Sequence, residues 1–262
     1  MATWQSAIFK VGDDCRQDVL TLQLIALFRQ IWEDARLDLF VFPYRVVATE
    51  PGCGVIEVIP NAISRDQLGR ERINNIHLYF QQRHGPESSG SFAQARMNFV
   101  RSLAAYSLIT FLVAVRDRHN GNIMVADAGH LIHIDFGFIL DLCPGGFAFE
   151  KSPFKLTAEM IAVLGGQQSP FFLLFRRKLL KGFLAVRQHA RTFRRLAGMM
   201  AEANFPCFAV PNNLENLIAR FFLAQSDVEL VATVEDLVYR STENMRTIMY
   251  DSYQLQKNGI PY

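Results

Sequence analysis

The sequence predicts an α+β fold of two lobes, a small one of strands around a helix and a large one that is mostly helical. Three observations carry this expectation. The first 60 residues of the 262-residue chain read strand, helix, strand, strand. Beyond Pro60 helical patterns dominate and a single hairpin interrupts them. Half of all residues are apolar, enough for a sizeable core at this length.

Residues Trp4 to Lys10 (WQSAIFK) have the composition of a short strand, and Gly12-Asp13-Asp14 supplies a turn and a helix start. The helix that follows runs to about Ala35. Its apolar residues Val19, Leu20, Leu22, Ile25, Leu27, Phe28, Ile31 and Trp32 cover more than one stripe, which predicts packing on two sides. Leu37 to Ala48 and Gly54 to Ile59 read as strands around a Pro51-Gly52 turn. After a polar loop at Gly85 to Gly90, a long buried helix is expected from about Phe92 to Val115. Asn122 to Val125 and His130 to Ile134 form the hairpin, turning at Asp127-Ala128-Gly129. A Gly-, Pro- and Phe-rich loop covers residues 138 to 153, and helices fill the rest. The expected division is a small lobe at 1–60 and a large lobe at 61–262.

The four cysteines (Cys15, Cys53, Cys143, Cys207) form no CxxC pair and no Cys/His cluster, so neither a zinc site nor a disulfide framework is suggested and a reducing, intracellular setting fits. No segment reads as a signal peptide or a membrane span. A net charge of +2 does not argue for nucleic acid. Its distribution is uneven, because Arg176 to Arg195 holds eight basic residues and no acidic one. That run is either a solvated helix face or a surface that meets anionic lipid, at roughly 1 kcal/mol per well-placed basic residue.

The chemistry lies in Asp117-Arg118-His119-Asn120-Gly121-Asn122, followed across the hairpin by Asp135-Phe136-Gly137. Phosphoryl transfer needs an oriented acceptor hydroxyl and a divalent ion held against the phosphates by an Asn and an Asp. A tight hairpin brings Asn122, at the start of its first strand, next to Asp135 at the end of its second. An amide oxygen and a carboxylate then converge at a point suited to Mg²⁺. Either piece alone is a common accident; DRHxxN, hairpin and DFG together are not. The remaining histidines (His77, His84, His130, His133, His189) have no ligand-spaced companions and receive no role.

DRHNGN followed by HIDFG resembles the phosphoinositide 3- and 4-kinase superfamily, which has D-R-H order where protein kinases have H-R-D. IFKVGDDCRQD, LDLFVFPYRVVATEPGCGVIEVIP, SRDQLGR, HIDFGF, CPGG and NGIPY look like its type III alpha phosphatidylinositol 4-kinases, so the resemblance spans nearly the whole chain. It implies a bilobal protein-kinase-like fold and transfer of the ATP γ-phosphate to the inositol 4-hydroxyl of phosphatidylinositol. It further implies Mg²⁺, with Mn²⁺ as a substitute, a peripheral position on a cytoplasmic membrane face such as the plasma membrane, and scaffold subunits in the full-length enzyme. By position, Lys10 matches the lysine that contacts ATP phosphates and Asp18 the acidic residue of the next helix. Glu57, Val58 and Ile59 match the adenine hinge, with Tyr44, Met124 and Ile134 lining the pocket. Asp117 and His119 match the catalytic loop and Arg118 its supporting cation. Asn122 and Asp135 match the metal ligands.

The loop 138–153 is where such enzymes choose their lipid. It carries only Lys151 against Asp141 and Glu150, which favours a head group without additional phosphates. Phe138 stands where a 3-kinase usually has His after DFG, leaving His119 more to do. Only nine residues precede Lys10, too few for the family's phosphate-covering strands. The small lobe is therefore expected to be incomplete, and the chain a piece of a larger enzyme or a degenerate form. The rival expectations are a phosphoinositide 3-kinase, a protein kinase of the same superfamily, and a catalytically silent binding module. The basic run and the apolar tail Tyr250, Tyr253, Leu255, Ile260 and Tyr262, near Arg246 and Lys257, are expected to share a membrane-facing surface unless the tail packs as core.

Overall fold

The computed structural model describes residues 5–73, 75–146, 152–242 and 245–260. Strand β1 (Ala7–Val11) leads into helix α1 (Arg16–Asp34), then strands β2 (Val46–Glu50) and β3 (Cys53–Glu57). Both β1 and β2 pair antiparallel with β3, giving a sheet of order β1-β3-β2 in which Lys10 lies opposite Gly54. A second three-stranded sheet joins β4 (Ala62–Ser64) to the hairpin β5 (Ile123–Ala126) and β6 (Leu131–His133). The remainder is helical: α2 (Arg65–Arg70), α3 (Ile76–His84), α4 (Gly90–Val113), α5 (Ala158–Val163), α6 (Pro170–Arg187), α7 (Ala190–Gly198), α8 (Asn213–Ala219), α9 (Asp227–Ser241) and α10 (Met245–Asn258). The architecture is α+β, mostly helical, as expected.

Helix starts follow capping chemistry. Ser64, Asn75, Ser89, Thr157 and Ser169 each turn a side-chain oxygen to an otherwise unpaired backbone N–H of the first turn. Ser226 and Glu229 close a reciprocal capping box on α9. Helix α4 is buried almost all round, from Phe92 to Val113, and packs along α6 and beneath β6. A helix so enclosed carries little amphipathic signal, and this one forms the axis of the core.

Three expectations change. Trp4 lies outside the described residues, and the first strand is Ala7–Val11. The strand expected over Leu37 to Ala48 exists only as Val46–Glu50. Upstream of it the backbone bonds to α4 instead of to a strand, Phe40 N–H to the Arg101 carbonyl (3.4 Å) and Phe42 N–H to the Tyr106 hydroxyl (3.1 Å). Val41 and Tyr44 drop into the core, and Pro43 has no N–H for a ladder. Strand β4 was not expected, since three residues are too short to show alternation.

Candidate active site

The hairpin does what its spacing promised. Ile134 donates its N–H to the Asn122 carbonyl (3.1 Å), so the residues at the open ends of β5 and β6 are adjacent. Arg118 locks the loop 117–122 to them. Only 1% exposed, its guanidinium donates to the carbonyls of Arg116 (2.9 Å), Ile134 (2.7 Å) and Asp135, and it lies 5.5 Å over the Phe136 ring. A buried cation is tolerable when carbonyl dipoles surround it, and here those carbonyls belong to the two segments that must stay in register.

Asn122 is 6% exposed, and its Nδ2 donates to the Asp117 carbonyl (2.9 Å). The amide is thereby oriented with Oδ1 left for another partner. The Asp135 carboxylate accepts the Gly137 N–H at 3.4 Å, a long bond that leaves most of its acceptor capacity open. One neutral oxygen and one carboxylate fit a hard divalent ion, with phosphate oxygens and water completing its shell.

His119 accepts the Gly121 N–H at Nδ1 (3.0 Å), and its Nε2 lies 3.8 Å from Asp117 Oδ2. Gly121 is required for this approach, because a Cβ there would sit 2.9 Å from the His119 Cε1. Burial holds the His119 pKa below its ordinary value, against the opposing pull of Asp117. The ring is then neutral at pH 7, and with Nδ1 accepting, Nε2 carries the proton. Five of the eleven non-glycine residues with left-handed backbone among those described, Ala114, Asp117, Asp135, Leu140 and Asp141, fall around this loop and the DFG segment. Such conformations are uphill for most residues and gather where surrounding bonds over-determine the backbone.

From the other side α1 and Tyr44 grip the DFG backbone. Asp18 Oδ1 accepts the Phe136 N–H (2.7 Å), Gln17 Nε2 donates to the Gly137 carbonyl (2.6 Å), and the Tyr44 hydroxyl accepts the Asp135 N–H (3.2 Å). Gln17 also takes the Cys207 N–H at its Oε1 (2.8 Å). Lys10 pairs with Asp13 at 2.5 Å and not with Asp18. Burial by itself would lower the Lys10 pKa, but the bond to Asp13 and the charges of Asp135 and Asp18 outweigh it and hold the pKa above its ordinary value. Lys10 is a cation held by Asp13 within electrostatic reach of Asp135 at the open end of the hairpin.

Asp18 is 4% exposed, and its pKa is pushed up to about 6, first by burial and then by Asp135, despite the Phe136 N–H. The folded pKa exceeds the unfolded value of 3.8, so this group favours the folded state fully below about pH 4 and loses that contribution as pH rises through 6. Two units correspond to roughly 3 kcal/mol. Asp18→Asn keeps an oxygen for the Phe136 N–H without the buried charge. It should raise the melting temperature at pH 7.5 by up to about 10 °C and flatten the pH dependence of melting between 4 and 6. An unchanged pH profile would remove Asp18 from the account.

The expected hinge is less uniform. Glu57 receives the Arg45 N–H (2.8 Å) and guanidinium and a Gln5 amide proton, and Val58 donates its N–H to the Ser6 carbonyl (3.1 Å). Val58 therefore has no N–H to offer a ligand. Ile59 is buried, and Met124 and Ile134 are half-buried against the core. His133 is buried and stacked on Tyr106, and His130 stacks on Phe40, so both are packing residues.

The sequence did not single out the contacts that α10 makes to the loop 117–122. The Tyr250 hydroxyl donates to Asp117 Oδ1, and Lys155 ties Asn120 (3.1 Å) to Asp251 (2.7 Å) in a buried ion pair. Ile260 approaches Gly121. Half of the tail thus packs on the loop, while Tyr253 and Leu255 stay exposed; Tyr262 and the Arg246 side chain lie outside the described residues. The basic run is divided as well. Arg176 pairs with Glu235, Lys178 with Asp38, Arg187 with Asp227 and Arg194 with Glu215. Leu179, Phe183 and Phe193 are core.

Comparison with known proteins places this geometry. Residues 4–210 match the family model for phosphatidylinositol 3- and 4-kinases. The chain is 53% identical over 260 residues to phosphatidylinositol 4-kinase stt4 of Schizosaccharomyces pombe and 52% identical to STT4 of Saccharomyces cerevisiae, covering 99% of this chain and 14% of each relative. It is 38% identical over 256 residues to phosphatidylinositol 4-kinase beta of Callithrix jacchus, covering 97% of this chain and 31% of that relative. The chain spans about one seventh of the length of the two fungal relatives. It belongs to the phosphatidylinositol 3- and 4-kinase family.

Proposed function

We propose that this chain is the catalytic region of a phosphatidylinositol 4-kinase, with residues 1–60 as the small lobe and 61–262 as the large lobe. The observation that carries the reading is the convergence of Asp117, Asn122 and Asp135 through Arg118, in a chain whose relatives at 52–53% identity are named phosphatidylinositol 4-kinases.

Lys10 binds the ATP phosphates, and the backbone at Glu57 and Ile59 meets adenine beside Tyr44, Met124 and Ile134. When bound, Mg²⁺ or Mn²⁺ neutralises charge on the phosphate oxygens, and Asn122 Oδ1 with the Asp135 carboxylate are the groups that would hold it. The Asp117 carboxylate orients the inositol 4-hydroxyl and takes its proton as the hydroxyl oxygen bonds to the γ-phosphorus and the bridge to ADP breaks. His119, protonated at Nε2, serves as a hydrogen-bond donor in this scheme, so the base is Asp117. Because Tyr250 occupies one Asp117 oxygen, the acceptor hydroxyl has to share or displace that bond. The lipid is reached from a membrane surface; no described helix is long and apolar enough to cross one.

The loop argument for lipid choice needs one revision. Asp141 is paired with Arg220 at 2.9 Å and does not repel a head group, while Glu150 and Lys151 lie outside the described residues. What remains is that the loop 138–153 carries a single cation, Lys151, and no basic cluster. Each additional phosphate would therefore be desolvated with too few cations to match it, at about 1–3 kcal/mol. Radiolabelled ATP with vesicles of each lipid should give phosphatidylinositol 4-phosphate from phosphatidylinositol, and rates at least about tenfold lower with the 4-phosphate and 4,5-bisphosphate lipids. Equal rates would refute the loop argument; a product labelled at the 3-position would refute the assignment. Nucleotide-dependent thermal stabilisation without transfer would make the chain a binding module.

A further inference from the structure

Of the eight basic residues in 176–195, Arg177, Lys181, Arg191 and Arg195 have no acidic partner among the described residues. Two of them converge with a third cation from elsewhere. Arg177 and Lys181, one turn apart on α6, line a cleft of about 260 Å³ against the segment that follows α1, where Arg36 lines it too. Arg36, with left-handed backbone (φ 53°), likewise has no acidic partner among the described residues. Leu39 and Leu174 supply apolar lining.

The cleft also contains a carboxylate, and that charge is already matched. Asp38 is held by Arg101 at 2.8 Å and by Lys178 at 3.1 Å, and Lys178 also donates to the Asp38 carbonyl (2.6 Å). Three unmatched cations remain around it. The walls are close-packed: the Trp32 indole donates to the Gly182 carbonyl (3.1 Å), and a Cβ at Gly182 would meet the Leu39 Cδ1 at 2.7 Å. Like charges so placed focus a positive potential on a small concave volume. Two guanidinium groups can each grip phosphate oxygens through paired N–H donors, with the lysine as a point charge beside them.

We infer that this cleft is a binding site for a phosphate monoester dianion, separate from the phosphate-transfer site, since none of its lining residues is assigned there. A phosphorylated lipid head group and a free phosphate present the same chemistry, and the test distinguishes them. One arm measures binding of the chain to phosphatidylcholine vesicles containing a monophosphorylated phosphoinositide, against vesicles of equal charge made with phosphatidylserine. The other titrates inorganic phosphate and follows the backbone amides of residues 36–39 by NMR. Two double variants, R177A/K181A and R191A/R195A, remove equal charge from neighbouring helices at exposed positions. The first should weaken binding roughly 30-fold and the second by less than about threefold, from about a fivefold effect per well-placed basic residue. Binding in the vesicle arm alone assigns the site to a lipid head group; amide shifts with phosphate assign it to the free anion. Equal losses in the two variants, no preference over phosphatidylserine, or no binding in either arm would each overturn the inference.

Discussion

Asp135→Asn should lower phosphoryl transfer by about three orders of magnitude while the melting temperature moves by less than about 2 °C. A divalent ion supplies several kcal/mol of charge stabilisation, and each 1.4 kcal/mol lost is about tenfold in rate. The fold is spared for local reasons. Asn tolerates the left-handed backbone found at this position (φ 59°), and its N–H can still reach the Tyr44 hydroxyl. Its carbonyl still accepts from Arg118, and its Oδ1 can still take the Gly137 N–H. Activity above about a tenth of the parent value at saturating Mg²⁺ would remove Asp135 from the metal-binding role. Asn122→Ala is expected to be nearly as severe. It deletes an oxygen and also the bond that anchors the Asp117 carbonyl, a link that could not be read from spacing alone.

How far the site was legible depends on where the partners lie in the chain. Asn122 and Asp135 are joined by a hairpin, and a period-two pattern around an Asp-Ala-Gly turn reports such a pairing directly. Arg118, Asp18 and Tyr44 were named from resemblance, but what they hold was not visible, because each bonds to backbone that carries no residue identity. Asp18 holds the Phe136 N–H, while Lys10, within reach of its charge, bonds to Asp13. Gln17 sits next to Asp18, and its bonds to the Gly137 carbonyl and the Cys207 N–H also go to distant backbone. The segment Leu37 to Tyr44 looked like a strand because it is apolar and β-branched in part, yet its hydrogen bonds go to α4, a choice made by tertiary packing. Long-range polar contacts such as Tyr250 to Asp117 leave no local pattern at all.

The buried pair between Lys155 and Asp251 should be the most costly polar interaction to break by a single change. The Lys155 side chain is 1% exposed and that of Asp251 10%, and Lys155 also satisfies Asn120 in the loop 117–122. Lys155→Met leaves a carboxylate in a low-dielectric site without its counter-ion, a loss of roughly 3–5 kcal/mol. For a chain of this size that is a fall in melting temperature of about 6–20 °C. Asp251→Leu alone should cost a similar amount by stranding the ammonium group. The double variant should recover most of the loss, since a well-packed apolar pair of similar volume is often as stable as the ion pair it replaces. If the interaction between the two changes is below about 0.5 kcal/mol, the pair is not coupled and the assignment fails. Hydrogen exchange locates the damage. Helix α10 meets the loop through Tyr250 and Asp251, so its release should expose amides of α10 and of 117–122 together while those of α4 stay protected. Exchange that rises uniformly would mean instead that the pair holds the whole large lobe.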